Sequence, residues 1–425
     1  MRLISLFLFL TTSLYAGGLR LSVQGESAIL MNAKTGKVLF EKNAYAQAYP
    51  ASTTKIATAL VALHKARGQL DKIIAADREA LASISPQAKK QSNYRSPPHW
   101  LESDGTHIGI KKGEEICLFD LLHGLMLTSA NDAANVIAIG LGGSVSKYME
   151  EVDTYLKNIG CKSTHFNNPH GLHHPEHVTT AYDLAMMAKT GLKDPVFRKI
   201  VSTVRYTCPQ TNLEEERTFI QGNYLLKSGS HNYPKAIGVK TGYTQVAGKN
   251  LVAAAHSEGR ELIVVAMGYR GPRSELYDDV IKMFEAGFNE PRMSRALLPK
   301  GEQKLTVKVK GGHGRLRTYL AEALSYEFYP TEEVPVKAAL TWEIPPLPII
   351  RGTPVGKVKV LDDRGSVLLE SPLLALEDMK PTLWHRISTF LSQDKLGRKL
   401  AFAAGAALVV LFLLGARKNK TRVYR

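Results

Sequence analysis

The strongest constraint on the fold lies between residues 237 and 267. Ile237 to Tyr243 alternates like a strand, and Leu251–Ala255 and Leu262–Met267 are two more apolar runs of strand length. The last two are joined only by Ser257-Glu258-Gly259. A turn this short joins antiparallel neighbours, because parallel strands need a crossover of a dozen or more residues. Ser27–Asn32 and Lys37–Glu41 add a hairpin around Ala33-Lys34-Thr35-Gly36. Helical spacing marks Ile56, Ala57, Ala59 and Leu60 in a segment reaching about Ala66. It also marks Leu118, Leu121, Leu122, Leu125 and Met126, then Asp132 to Leu141 and Glu275 to Phe288. These elements predict an α/β domain, an antiparallel sheet flanked by helices, over 19–290.

Beyond this unit, Pro291 to Lys300 reads as a linker. Short alternating strands with turns at Gly311-Gly312 and Asp362-Asp363-Arg364-Gly365 then predict a small all-β domain over 296–376, with no nucleophile, base or metal pattern. Residues 377–399 form an amphipathic linker carrying Leu383, Trp384, Ile387, Phe390 and Leu391. Residues 400–416 carry no charge over 17 positions, the lower limit for a transmembrane helix. Lys395, Arg398 and Lys399 precede this run, and the basic tail 417–425 follows it. At the other end, Met1-Arg2, an apolar run from Leu3 to Leu14 and Ala16 have the layout of a signal peptide, 1–16. The expected location is the inner membrane, single-pass, with the main domain on the periplasmic side and the basic tail in the cytoplasm.

The formal net charge of +16 suits an anionic surface or an acidic polymer. No arginine-rich arm, aromatic-interleaved basic helix or zinc-finger spacing accompanies it, so nucleic acid is not expected as a partner. Three cysteines, Cys117, Cys161 and Cys208, are too few for a disulfide framework and read as buried thiols. His170-x-x-His173-His174-x-x-His177 tempts a metal assignment. Pro169, Gly171 and Pro175 interrupt it, and a zinc site needs a fixed frame, so no metal and no cofactor is expected.

The chemistry concentrates in three short segments. In Tyr49-Pro50-Ala51-Ser52-Thr53-Thr54-Lys55, a helix starting near Ser52 puts Lys55 on the same face as the serine. A hydroxyl is a poor nucleophile until a base takes its proton, and a lysine serves only if burial or a nearby cation lowers its pKa. Alone the spacing is weak: Ser144-Val145-Ser146-Lys147 repeats it, with no helix-entry signal in view. Ser129-Ala130-Asn131 sits in a tight break between two buried helices, where both side chains could be simple caps or face a ligand. Lys-Thr-Gly occurs three times. The Lys34 copy is a hairpin turn and the Lys189 copy a helix end. Only Lys240-Thr241-Gly242 lies on a strand, where Lys240 offers the second cation and Gly242 lets a substrate backbone come close.

Ser52-x-x-Lys55, Ser129-x-Asn131 and Lys240-Thr241-Gly242, in that order, resemble the signature of penicillin-binding proteins and class A β-lactamases. Asn168-Pro169-His170-Gly171-Leu172 and the second domain extend the resemblance over about residues 22–376, to the low-molecular-mass D-alanyl-D-alanine carboxypeptidases. The resemblance implies a transpeptidase/β-lactamase-like domain, a β-rich domain and attachment to the membrane. It implies that Ser52 attacks peptidoglycan stem peptides ending in D-Ala-D-Ala and is acylated by β-lactam antibiotics. Lys55 would take the serine proton, Ser129 and Lys240 would relay a proton to the leaving D-alanine, and Asn131 would hold Lys55 or a peptide group. The N–H groups of Ser52 and Tyr243 would form the oxyanion hole, with Thr241 and Lys240 on the substrate carboxylate. Tyr243 stands where a histidine is common. Gln221 to Leu226 lacks the arginine that some members use on that carboxylate. His170 is a candidate for orienting the deacylating water or for loop packing. The same residues would suit a D,D-endopeptidase, and a non-catalytic cell-wall scaffold is the reading from a different class.

Overall fold

The computed structural model describes residues 6–8, 18–393, 399, 402–407 and 409–411. Two compact units result: 16–291 with 330–332, and 1–15 with 292–329 and 333–425.

The first unit is built on a five-stranded sheet. Its strands are Ser27–Asn32 (β1), Val38–Lys42 (β2), Ala236–Thr244 (β3), Gly248–Ser257 (β4) and Arg260–Tyr269 (β5). Their order is β3-β4-β5-β1-β2, antiparallel throughout, with β3 on an edge. Side chains alternate between faces along each strand, and here both faces are dry. Ile29, Met31, Val252, Ala254, Ile263 and Val265 join one apolar core. Leu30, Leu251, Ala253, Leu262 and Val264 join the other. That is why β4 and β5 read as near-continuous apolar runs. Lys55–Ala66 (α1), Asn131–Gly142 (α2), Val145–Asn158 (α3), Ala181–Gly191 (α4) and Pro195–Ser202 (α5) contribute to the first core. Arg273–Phe288 (α6) covers the other face through Tyr277, Val280, Met283 and Phe284.

Three local differences from the sequence expectations bear on the site. Ser52 lies in a one-turn 3-10 segment, Ala51–Thr54, and the α-helix proper begins at Lys55. The apolar stretch from Leu118 is α-helical to His123, then widens into a π-turn over Gly124–Thr128 that ends with Ser129 in the left-handed region (φ 67). π-turns inside helices cluster at functional sites. The polar stretch 81–107 holds a short helix, Pro86–Gln91, capped by Ser85, and an ion pair of buried Lys89 with half-buried Glu102 at 2.8 Å.

The second unit is β-rich, with strands Met293–Leu298 (β6), Gly301–Lys308 (β7), Arg315–Leu320 (β8), Leu324–Phe328 (β9), Lys337–Trp342 (β10), Pro354–Leu361 (β11) and Val367–Ala375 (β12). β6 corrects the linker expected at 291–300: Met293–Leu298 is a strand paired with β9 and belongs to the second unit. Leu6–Leu8, inside the expected signal peptide, pairs with β10; the rest of 1–16 lies outside the described residues. The helix Leu383–Gln393 (α7) leaves Leu383, Trp384 and Phe390 exposed. Among the described residues no helix is long and apolar enough to cross a membrane. Of the run expected to span, 400–416, residues 402–407 and 409–411 are described and helical, and the rest lie outside the described residues.

Candidate active site

The three chemical segments meet in the first unit. The 3-10 turn aims Ser52 into a cleft of about 510 Å³ that is also lined by Ser129, Thr241, Gly242 and Tyr243. Lys55 and Lys240 lie beneath it, 0% and 1% exposed. Sequence distances of 76 and 185 positions from Lys55 to Asn131 and Lys240 are closed by the fold.

Lys55 Nζ lies 3.0 Å from Ser52 Oγ, 2.7 Å from Asn131 Oδ1 and 2.7 Å from the His170 carbonyl oxygen. An ammonium donates to all three. A neutral amine has two N–H groups and one lone pair. Asn131 Oδ1 and the His170 carbonyl can only accept, so they take the two N–H groups and turn the lone pair toward the Ser52 hydroxyl. Burial, and then the nearby Lys240 cation, hold the Lys55 pKa well below its usual value, with Asp132 opposing. Burial pushes Lys240 down to about 7, and its Nζ donates to the Thr241 carbonyl at 2.9 Å. Both shifts follow from the cost of burying charge without a counter-ion.

The serine turn is clamped from several sides. Ala51 is held left-handed at φ 50. A Cβ at Gly242 would stand 2.9 Å from the Pro50 carbonyl oxygen and 3.1 Å from the Ser52 nitrogen, so β3 comes this near only because that residue is glycine. Gly171 (φ +89) is tighter still: a Cβ there would meet the Ala51 carbonyl oxygen at 2.0 Å. The 168–172 loop is therefore pressed beneath the nucleophile. It delivers the His170 carbonyl to Lys55 and the Pro169 carbonyl to Thr58 Oγ1 at 2.6 Å.

This corrects one candidate role. The His170 ring is fully buried; Nδ1 accepts from the Leu172 N–H at 3.1 Å, and Nε2 lies 3.1 Å from the His99 carbonyl. It is outside the cleft lining and serves packing, while its backbone serves the site. His173 and His174 pack against Tyr94, and His177 Nε2 meets Thr54 Oγ1 at 2.8 Å. Among the described residues no group of three or more metal-ligating side chains gathers.

Several residues of the site carry no motif. Asn250, on β4, donates from Nδ2 to the Tyr49 and Pro50 carbonyls at 2.9 and 3.0 Å, and its Oδ1 accepts from the Gly268 N–H at 2.9 Å. It ties the serine turn to the centre of the sheet. Asp132 accepts from the N–H groups of Ile108, Gly109 and Ile110, while Asn131 N–H donates to the Thr106 carbonyl. This anchors the stretch that brings Thr106 into the cleft wall. Arg273, the first residue of α6, lines the cleft too, so an arginine absent from Gln221–Leu226 enters from another element. Spacing arguments could not find it, since it lies 33 positions beyond Lys240 with no pattern connecting them.

A family model described as D-alanyl-D-alanine carboxypeptidase, peptidase S11, matches residues 16–271. D-alanyl-D-alanine carboxypeptidase DacF of Bacillus subtilis is 31% identical over 85% of this chain and 87% of its own. DacD of Escherichia coli is 28% identical over 87% and 90%. The crystal structure of a D-alanyl-D-alanine carboxypeptidase from Mycobacterium tuberculosis superimposes with a TM-score of 0.54 at 28% identity, covering 65% of this chain and 96% of that one. Penicillin-binding protein 5 of Haemophilus influenzae shares the fold, with a TM-score of 0.57 at 23% identity over 86% of this chain and all of its own. The family match includes the segments of Ser52, Ser129 and Lys240, and this chain belongs to the D-alanyl-D-alanine carboxypeptidase family of serine peptidases.

Proposed function

We propose that this protein removes the terminal D-alanine from peptidoglycan stem peptides through an acyl-enzyme on Ser52. The observation that carries the reading is a fully buried Lys55 whose Nζ lies 3.0 Å from Ser52 Oγ, with two obligate acceptors on its N–H groups. Ser52 Oγ bonds to the carbonyl carbon between the two D-alanines as its proton passes to Lys55. The N–H groups of Ser52 and Tyr243 stabilise the developing oxyanion, the kind of preorganised contact that usually contributes most. Ser129 and Lys240 return a proton to the leaving amine, the C–N bond breaks, and D-alanine departs. Water then cleaves the ester and frees Ser52. The substrate's terminal carboxylate docks on the Thr241 hydroxyl and the Arg273 guanidinium at the cleft wall, with Lys240 beneath. A β-lactam acylates Ser52 by the same route.

The test is D-alanine release from a peptide ending in D-Ala-D-Ala, by the protein and its Ser52→Ala variant. Release by the parent alone supports the reading. Penicillin labelling of Ser52 without release shifts it to cross-linked substrates and an endopeptidase. Neither labelling nor release leaves only a scaffold.

The proposal extends to location: the inner membrane, with the catalytic unit on the periplasmic side. It rests on the leader-like start, the uncharged run 400–416 between basic flanks, and the exposed apolar face of α7, Leu383 and Trp384 being 72% and 78% exposed. A full-length chain recovered in the soluble fraction of lysed cells would refute it.

A further inference from the structure

The cleft is more cationic than a single terminal carboxylate requires. Lys227, Lys249 and Arg273 line it, and among the described residues no aspartate or glutamate does. One cation suffices for the terminal carboxylate, the role proposed above for Arg273, which lines the cleft with Thr241. Lys249 is engaged elsewhere: its Nζ donates to the Gly271 carbonyl at 2.6 Å and lies 5.9 Å over the Tyr243 ring.

Lys227 is different. Its Nζ stands 4.3 Å from the centre of the Tyr224 ring, and the Arg273 guanidinium carbon stands 4.9 Å from the same centre. Arg273 Nη1 also donates to the Tyr224 hydroxyl at 2.6 Å. The ring is itself fixed, packed edge-on against Tyr277 at 5.6 Å, with the Tyr224 N–H on the Tyr277 hydroxyl at 3.2 Å. Two cations share one aromatic platform. The ring quadrupole attracts each of them, and an anion bound between them relieves the mutual repulsion that water screens only in part at half-buried Lys227. One carboxylate on Arg273 leaves Lys227 uncompensated, already placed and facing the cleft.

We propose that the cleft reads a second, inner carboxylate of the stem peptide, and that Lys227 binds it on the Tyr224 platform. The preferred substrate is then a peptide with two free carboxylates, the terminal one and one further inside. The inference rests on the carboxypeptidase reading and sharpens its substrate class. Because the platform is preorganised, little side-chain entropy is lost on binding.

The experiment uses Ser52→Ala protein and two synthetic peptides ending in D-Ala-D-Ala, identical except that an inner carboxylate is free in one and amidated in the other. The free acid is expected to bind about tenfold tighter at low salt, as for a charge-assisted contact, with the gap closing as ionic strength rises. Lys227→Met brings the two affinities within about twofold, whereas Lys227→Arg keeps most of the difference. Equal binding of the two peptides, or a preference that survives Lys227→Met, overturns the proposal. D-alanine release is scored separately with Ser52 restored. Release without preference sinks the inner-carboxylate subsite and keeps the carboxypeptidase; preference without release does the reverse.

Discussion

Two Ser-x-x-Lys tetrads in this chain have the same spacing and opposite fates. Ser144 precedes α3 in an extended conformation, and its Oγ accepts the Lys147 N–H at 3.2 Å. The entry signal unseen in the sequence is thus a plain N-cap. Ser144 and Lys147 are both exposed to solvent. Ser52 sits inside a 3-10 turn and makes no capping bond. Its lysine is buried, stripped of water, placed beside a second cation and supplied with two carbonyl-type acceptors from distant segments. At Ser144 the spacing delivers only a backbone N–H, while at Ser52 it delivers the lysine amine itself, whose pKa is held down by burial and by Lys240.

The comparison breaks most sharply at the serines. Ser52→Ala should lower D-alanine release by about 10^4-fold or more, as loss of a nucleophile does, while Ser144→Ala leaves release unchanged. A measurable burst of penicillin labelling in the Ser52→Ala protein would contradict the assignment. Next come the lysines. Lys55→Gln should slow acylation by about 10^2- to 10^4-fold, the range of a general base, and Lys147→Gln should not slow it at all. Stopped-flow acylation with a chromogenic β-lactam decides between them.

The clamp on the Ser52 turn should show a smaller effect. Asn250→Ala releases the Tyr49 and Pro50 carbonyls and the Gly268 N–H at once. Acylation should fall about 10- to 100-fold through misplacement of the turn, and unchanged kinetics would mean that the turn holds itself. The pH profile sharpens the electrostatic half of the contrast. Acylation needs neutral Lys55, so it falls on the acid side. Lys240→Gln removes a cation that holds the Lys55 pKa down, so the acid limb should move to higher pH. A limb that stays put or moves down would show that the two lysines are not coupled. Smallest is the stability of the exposed tetrad. Ser144→Ala should cost about 1 kcal/mol of unfolding free energy, the loss of one N-cap, read by denaturant titration.

The three Lys-Thr-Gly copies repeat the lesson. Gly36 turns a hairpin at φ +78, and Thr190 closes a helix by bonding back to the Met186 carbonyl. Lys240-Thr241-Gly242 runs along the sheet edge, where Gly242 admits the serine turn. Strand period and turn chemistry made that difference legible beforehand. The π-turn was not, because Leu118 to Leu127 carries an unbroken helical pattern, and the widening that ends in Ser129 leaves no mark on apolar spacing. Nor was β6 visible, because Pro291 and Lys300 punctuate its ends like a linker while its pairing partner lies beyond β8.

The sequence by itself determined the antiparallel sheet and the helices that cover it, through hydrophobic period and turn length, while its short motifs, by family resemblance, nominated the serine, asparagine and lysine side chains that the fold brings together. Tertiary structure alone decided that Lys55 is dry, that a His170 carbonyl rather than its ring serves the site, that Asn250 holds the nucleophile's turn, and that Arg273 and Lys227 both approach the Tyr224 ring. Each depends on backbone atoms or on partners tens of positions away. What lowers a lysine's pKa, or sets a cation against an aromatic ring, is what surrounds it in space, and that environment is set only when the chain has closed on itself.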